Sequence, residues 1–186
     1  LKTNFTNYLK GVNMNISRIS LFLTSLFFSI TLLANDNGYK SHGTIDKWYI
    51  YAKKSKELCY MLAEPDESIG KYKLRGRVRV LVAHRPEAKI KNSIMLEFGY
   101  SFPENAKALI EIDKKKSFKL DTHEQTAWVT SKSSKSSKRD KEIISEMIKG
   151  TTLKAVGKSK KGTITTDFYA LKGFSKAFKK MKDVCG

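Results

Sequence analysis

Two cysteines, three prolines and three histidines are all that this 186-residue chain has of those types. So few cysteines exclude a disulfide-dense scaffold and a four-cysteine zinc site. So few prolines exclude a collagen-like or polyproline architecture. His42, His84 and His123 fall at unrelated spacings, and no His-Glu-x-x-His, Cys-x-x-Cys or Gly-x-Ser-x-Gly pattern occurs, so neither a metal nor another cofactor is expected. Gly157-Lys158-Ser159 imitates the end of a phosphate-binding loop, but the glycine required five residues earlier is Thr152. Carboxylates are scarce too: 18 acidic residues face 36 basic ones, a formal net charge of +18. No apolar run reaches the about twenty residues of a membrane-spanning helix.

What is present begins with Met14, Arg18, an apolar run from Ile19 to Leu33, and Ala34. This order reads as a secretory signal peptide over 14–34, cut after Ala34, with 1–13 as an upstream extension; a retained N-terminal anchor is the alternative. The expected location is therefore the periplasm or the cell exterior, with no membrane span after cleavage. The remainder has the length of one domain. It loses Lys2, Lys10 and Arg18 but no acid, so it stays strongly basic and suited to anionic partners. Only six of the basic residues are Arg, and the abundance of Ile, Asn and Lys matches A/T-rich coding. An exported protein meets little nucleic acid, so nucleic acid is not among the expected partners.

Residues 35–45, polar and punctuated by Gly38 and Gly43, read as a mobile arm before a single domain over 46–186. Trp48–Tyr51 and Leu58–Leu62 suggest a hairpin, which Pro65 ends. Alternation over Lys73–Pro86 places Val78, Val80, Val82 and His84 on a core face and Arg77, Arg79, Leu81 and Arg85 on the other. Arg77, Arg79 and Arg85 form a basic stripe on that second face, since guanidinium groups grip phosphate or carboxylate in pairs of hydrogen bonds, and Arg75, Arg77 and Arg79 are the candidate anion-binding residues; a solvated or charge-protected strand face gives the same pattern. Lys132, Lys135, Lys138 and Arg139, in the Ser/Lys loop 131–139, are candidates for the same surface. Strands are expected over Ser93–Tyr100, Ala108–Ile112 and Ser117–Leu120, and over 124–130, where Trp128 reads as a core anchor. Ile143, Ile144, Met147 and Ile148 mark a helix near 140–149, with Ser137 or Asp140 as N-cap and Gly150 just past its end.

From Gly150 to Phe178 the chain reads as a hairpin, Thr151–Val156 and Thr163–Leu171 around the turn 157–162, followed by a helix near 174–182 with Phe174, Ala177, Phe178 and Met181 on one face. Asp167 lies inside the second strand, where a carboxylate is costly to bury unpaired. A structural hydrogen bond to a turn is the first expectation for it, and a periplasmic hydrolase that combines it with a histidine is the alternative. The fold class expected from these runs is mostly β, a β-sandwich or partly closed antiparallel barrel of seven to ten strands with two short helices.

The run Gly157–Phe174 resembles the C-terminal signature of the invasion-associated locus B family, a Gly-x-Ser-x-(Arg/Lys)-Gly-Thr-x-Thr-x-Asp-x-Tyr-(Ser/Ala)-Leu-x-Gly-Phe run that precedes a short helix and a near-terminal Cys, here Cys185. Cys59–Pro65, Phe98-Gly-Tyr100, Ile112-Asp113, Phe118-x-Leu120 and Ala127-Trp128 are similar to the family in the same order. The chain departs from it at two points. No Cys stands just upstream of Cys59, and a turn glycine is replaced by Lys114, which suggests a longer turn or one of another type. The resemblance implies a secreted or envelope-associated, non-catalytic, mostly β binding domain, whose partner would be anionic envelope material or an envelope protein. An accessory protein that escorts another envelope protein is a further alternative. With the upstream Cys missing, the resemblance points to a disulfide between Cys59 and Cys185; two buried free thiols, or an intermolecular bridge through Cys185, are the other arrangements open to these residues.

Overall fold

A computed structural model describes residues 38–88, 90–129 and 138–185. Asp36–Gly186 form one compact unit. The proposed extension and signal segment, with Lys132 and Lys135, lie outside the described residues.

Eleven strands form one antiparallel sheet in the order β1-β2-β3-β5-β6-β9-β8-β7-β10-β11-β4. They are β1 (Tyr39–Ile45), β2 (Trp48–Lys53), β3 (Cys59–Ala63), β4 (Glu67–Gly70), β5 (Arg79–Arg85), β6 (Ile90–Glu97), β7 (Lys107–Ile112), β8 (Lys116–His123), β9 (Thr126–Trp128), β10 (Thr152–Lys158) and β11 (Ile164–Ala170), with helices α1 (Lys138–Lys149) and α2 (Phe174–Cys185). The sheet does not close; β1 and β4 are its two edges, and its curvature wraps one face around a single core in a sandwich-like manner. Every buried apolar side chain of that core lies within 48–185, so the unit supplies its own interior.

Alternation explains most of the strands. Trp48, Ile50 and Ala52 of β2, Val80 and Val82 of β5, and Ala108, Ile110 and Ile112 of β7 all point inward. The two amphipathic helices lie on the inner face. Ile143, Ile144 and Met147 bury one side of α1 near β6, while Phe174, Ala177, Phe178 and Met181 bury one side of α2 against β1–β3, with the rings of Trp48 and Phe174 4.9 Å apart. Cys59 and Cys185 form a disulfide, Cα–Cα 5.9 Å, which fastens the last turn of α2 to β3.

Several expectations are corrected. Tyr39–Ile45 is an edge strand and not a mobile arm: it pairs with β2, the Tyr39 ring meets Tyr60 edge-on at 5.6 Å, and Gly43 at φ 96° absorbs the irregularity between Ser41 and Thr44. The strand expected from Lys73 starts only at Arg79, because Gly76 crosses Gly99 backbone to backbone, its N–H donating to the Gly99 carbonyl at 2.8 Å. Asp140 is the third residue of α1 rather than the residue before it. It is buried in the first turn and accepts the Ile94 N–H at 3.1 Å. Trp128 is half-buried, stacked edge-on against His123 at 6.1 Å, and Trp48 is the tryptophan of the core. The turn at Lys114 spans 113–115, with Ile112 paired to Lys116. Asp113 and Lys114 take the left-handed conformation themselves, φ 50° and 56°, and the Lys115 N–H closes the turn on the Ile112 carbonyl.

Candidate functional site

β4 leaves its sequence neighbours, crosses to the far edge and pairs with β11, Ser68 opposite Asp167 and Gly70 opposite Thr165. The chain that returns from β4 to β5 must therefore run over the end of the sheet, and Lys71–Arg75 forms one wall of a cleft there. The β10–β11 turn forms the other: Ser159 N–H to Thr163 O and Gly162 N–H to Ser159 O, both 2.8 Å, hold Lys160 and Lys161 at its apex, where Gly162 takes φ 88°. Lys160 N–H donates to Ser101 O at 2.8 Å and anchors the turn to the loop after β6. The cleft has a volume of about 670 Å³.

Arg75 forms part of its floor, and beneath it lies a buried ion pair. Asp167 is fully buried, and the Arg75 guanidinium meets it with two parallel hydrogen bonds, Nη1 to Oδ1 at 2.6 Å and Nη2 to Oδ2 at 2.7 Å. Ser68 Oγ donates to the same carboxylate at 2.7 Å, and Arg75 Nε donates to the Phe98 carbonyl at 2.7 Å. The rings of Tyr72 and Tyr100 flank the guanidinium, 5.5 and 5.1 Å from its carbon, as cation–π partners. Burial opposes the charge on Arg75, but the Asp167 hydrogen bonds and charge outweigh it and hold its pKa above the ordinary value. Burial raises the Tyr100 phenol, which stays protonated and shares a hydrogen bond with Thr165 Oγ1 at 2.8 Å. Gly157 makes room for this layer: a Cβ there would meet Tyr100 Oη at 2.4 Å.

Around the rim stand Lys71, Lys73, Lys160 and Lys161, with hydroxyls from Ser101, Ser159 and Thr163, and among the described residues no Asp or Glu lines the cleft. None of the four lysines is paired with a carboxylate among the described residues. The arrangement can hold an anionic group: ammonium charges attract it, hydroxyls donate to it, and the floor contributes no net charge because Arg75 and Asp167 cancel.

Of the expected arginine stripe, only Arg79 and Arg85 stand together, on one face of β5 where both line a shallow depression. Arg75 points inward and is committed to Asp167; Arg77 is exposed on the loop; Arg79 is engaged by Glu97 across the β5–β6 pair, Nε to Oε2 at 2.7 Å and Nη2 to Oε1 at 2.8 Å. Lys138 and Arg139 are exposed at the start of α1, away from the cleft lining. Asp167 is satisfied by an arginine and a serine rather than by a turn, and among the described residues no histidine lines the cleft. The four rim lysines were not singled out in the sequence. Their signal is the doublet Lys160-Lys161 within the signature turn, but Lys71 and Lys73 join it only through the β4 crossover.

No protein-family model, no curated protein and no solved structure matches the chain.

Proposed function

We propose that this protein is a non-catalytic binding domain of the invasion-associated locus B type, periplasmic or secreted, that holds anionic cell-envelope material in the basic cleft. The observation that carries this reading is the convergence, among the described residues, of four lysines without a carboxylate partner on one cleft with no acidic residue in its lining. Clustered like charges repel and work against folding, so their concentration at one place, while acids elsewhere pair with other lysines, is the arrangement a ligand's negative charge would relieve. Binding of this kind weakens with salt, because the screening length falls from about 10 Å at 0.1 M to about 3 Å at 1 M.

Cosedimentation of residues 36–186 with purified outer membrane and with peptidoglycan, over a sodium chloride series, tests the reading. Pelleting that declines with salt and is weakened by Lys160→Gln/Lys161→Gln supports it. Absence from the pellet at every salt concentration, with both materials, overturns it.

A further inference from the structure

Seven large apolar side chains are exposed among the described residues, and four of them gather at the cleft end of the sheet: Leu74, 93% exposed, Ile164 60%, Ile69 52% and Tyr72 39%; Tyr39, Tyr49 and Ile148 stand elsewhere. Ile69 and Ile164 stand on the outward face of the β4–β11 pair, where Ile69 is opposite Thr166 and the alternate residues Thr165 and Asp167 are buried inside. A shallow depression lined by Lys71, Lys161, Gly162, Thr163 and Ile164 continues from the cleft across Lys71, Lys161 and Thr163, so the lysines and the apolar residues form one surface. Gly70 keeps the join tight: a Cβ there would lie 3.0 Å from both the Ile164 carbonyl and the Tyr72 ring.

We infer that this tip docks on an anionic lipid bilayer, with Leu74, Ile164, Ile69 and Tyr72 entering the interfacial layer and Lys71, Lys73, Lys160 and Lys161 lying at the level of the phosphates. The inference rests on the proposed anion-binding function and names its ligand class. Charge complementarity selects the occupant. Protein interfaces are depleted of lysine at their centres, whereas here the aliphatic side chains project singly from among lysines. Interfacial membrane binding combines that composition, aliphatic and aromatic groups buried beside basic residues that meet anionic headgroups. No helix among the described residues is long and apolar enough to cross a membrane, so the contact is peripheral for this part of the chain.

The test uses residues 36–186, which carry their own core, with vesicles of phosphatidylcholine containing about one-third phosphatidylglycerol, vesicles of phosphatidylcholine alone, and soluble polyphosphate as a lipid-free polyanion. Expected are binding to the anionic vesicles, little binding to the neutral ones, and a blue shift of the added tryptophan in Leu74→Trp on vesicle addition. Ile69→Ser/Ile164→Ser changes only exposed positions and should weaken vesicle binding about tenfold, since two aliphatic side chains leave the interface, with polyphosphate binding unchanged. Polyphosphate binding without vesicle binding overturns the inference and leaves the anion-binding reading standing; binding to neither overturns both. Equal vesicle binding by the wild type and the double serine variant also overturns it. So does loss, in that variant, of a salt-stable complex with an envelope protein when vesicles are ignored, which would assign the tip to a protein partner.

Discussion

Replacing Arg75 by Met tests the central claim about the cleft floor. Both side chains of the ion pair are almost fully inaccessible, 5% for Arg75 and 1% for Asp167. Methionine has similar reach and would fill most of the space, but it removes both hydrogen bonds to Asp167 and the one to the Phe98 carbonyl, and leaves Asp167 with Ser68 as its one remaining side-chain donor. Breaking a buried pair from one side costs about 3–5 kcal/mol, because the surviving charge stays buried without compensation. With a urea dependence of about 2 kcal/mol per molar, the unfolding midpoint should fall by about 2 M. A further result follows from the same cause. The double variant Arg75→Met/Asp167→Leu should be more stable than Arg75→Met alone, since no charge is left behind. A midpoint shift below about 0.5 M would refute the reasoning by showing that water reaches Asp167 in the variant.

Phe178→Asp places an unpaired charge on the buried face of α2 and should cost several kcal/mol; a melting temperature equal to the wild type would mean that α2 is not docked. Replacing both Cys59 and Cys185 by Ala reopens a loop of 126 positions and should destabilise the protein by up to roughly 5 kcal/mol in the chain-entropy limit, read from denaturant melts. Asp113 accepts hydrogen bonds from the Thr151 hydroxyl at 2.7 Å and from the amides of Thr151 and Thr152, and these hold its carboxyl below the usual range. Its contribution is therefore complete above the unfolded value near pH 4 and is lost as pH falls through the lower folded value, so Asp113→Asn should flatten the acid limb of the stability curve; an unchanged limb would remove Asp113 as a contributor.

The fold class was legible because the signals that set it are local. Alternation in β2, β5 and β7 and the stripes of α1 and α2 follow directly from one-sided burial. β1 was missed because its burial is slight: most of its seven residues are exposed, and it is held by backbone pairing, one ring contact and the partly buried Ile45, which leave no apolar alternation to read. β4 was missed for the same reason, being exposed throughout. That second omission conceals the site. Arg75 looks like a member of a strand stripe until β4 is known to cross the sheet and to turn the following residues over Asp167. Parity along a strand says nothing about a segment that is not in the strand. Asp167 did announce that a buried carboxylate needs a partner, but the identity of that partner, 92 positions earlier, is a property of topology alone.

The position of β4 also bears on how the chain matures in time. Ser68 finds its opposite residue, Asp167, 99 positions later. At about 5–20 residues per second, synthesis would take roughly 5–20 s to cover that interval, during which β4 has no strand to join and Arg75 no carboxylate to meet. Pairing over such separations is slow even in a complete chain, because the closure entropy is spent before any contact repays it. The strand order thus lets β1–β3 and β5–β9 pair first and leaves the β4 edge and the Arg75 guanidinium without their partners until β11 emerges.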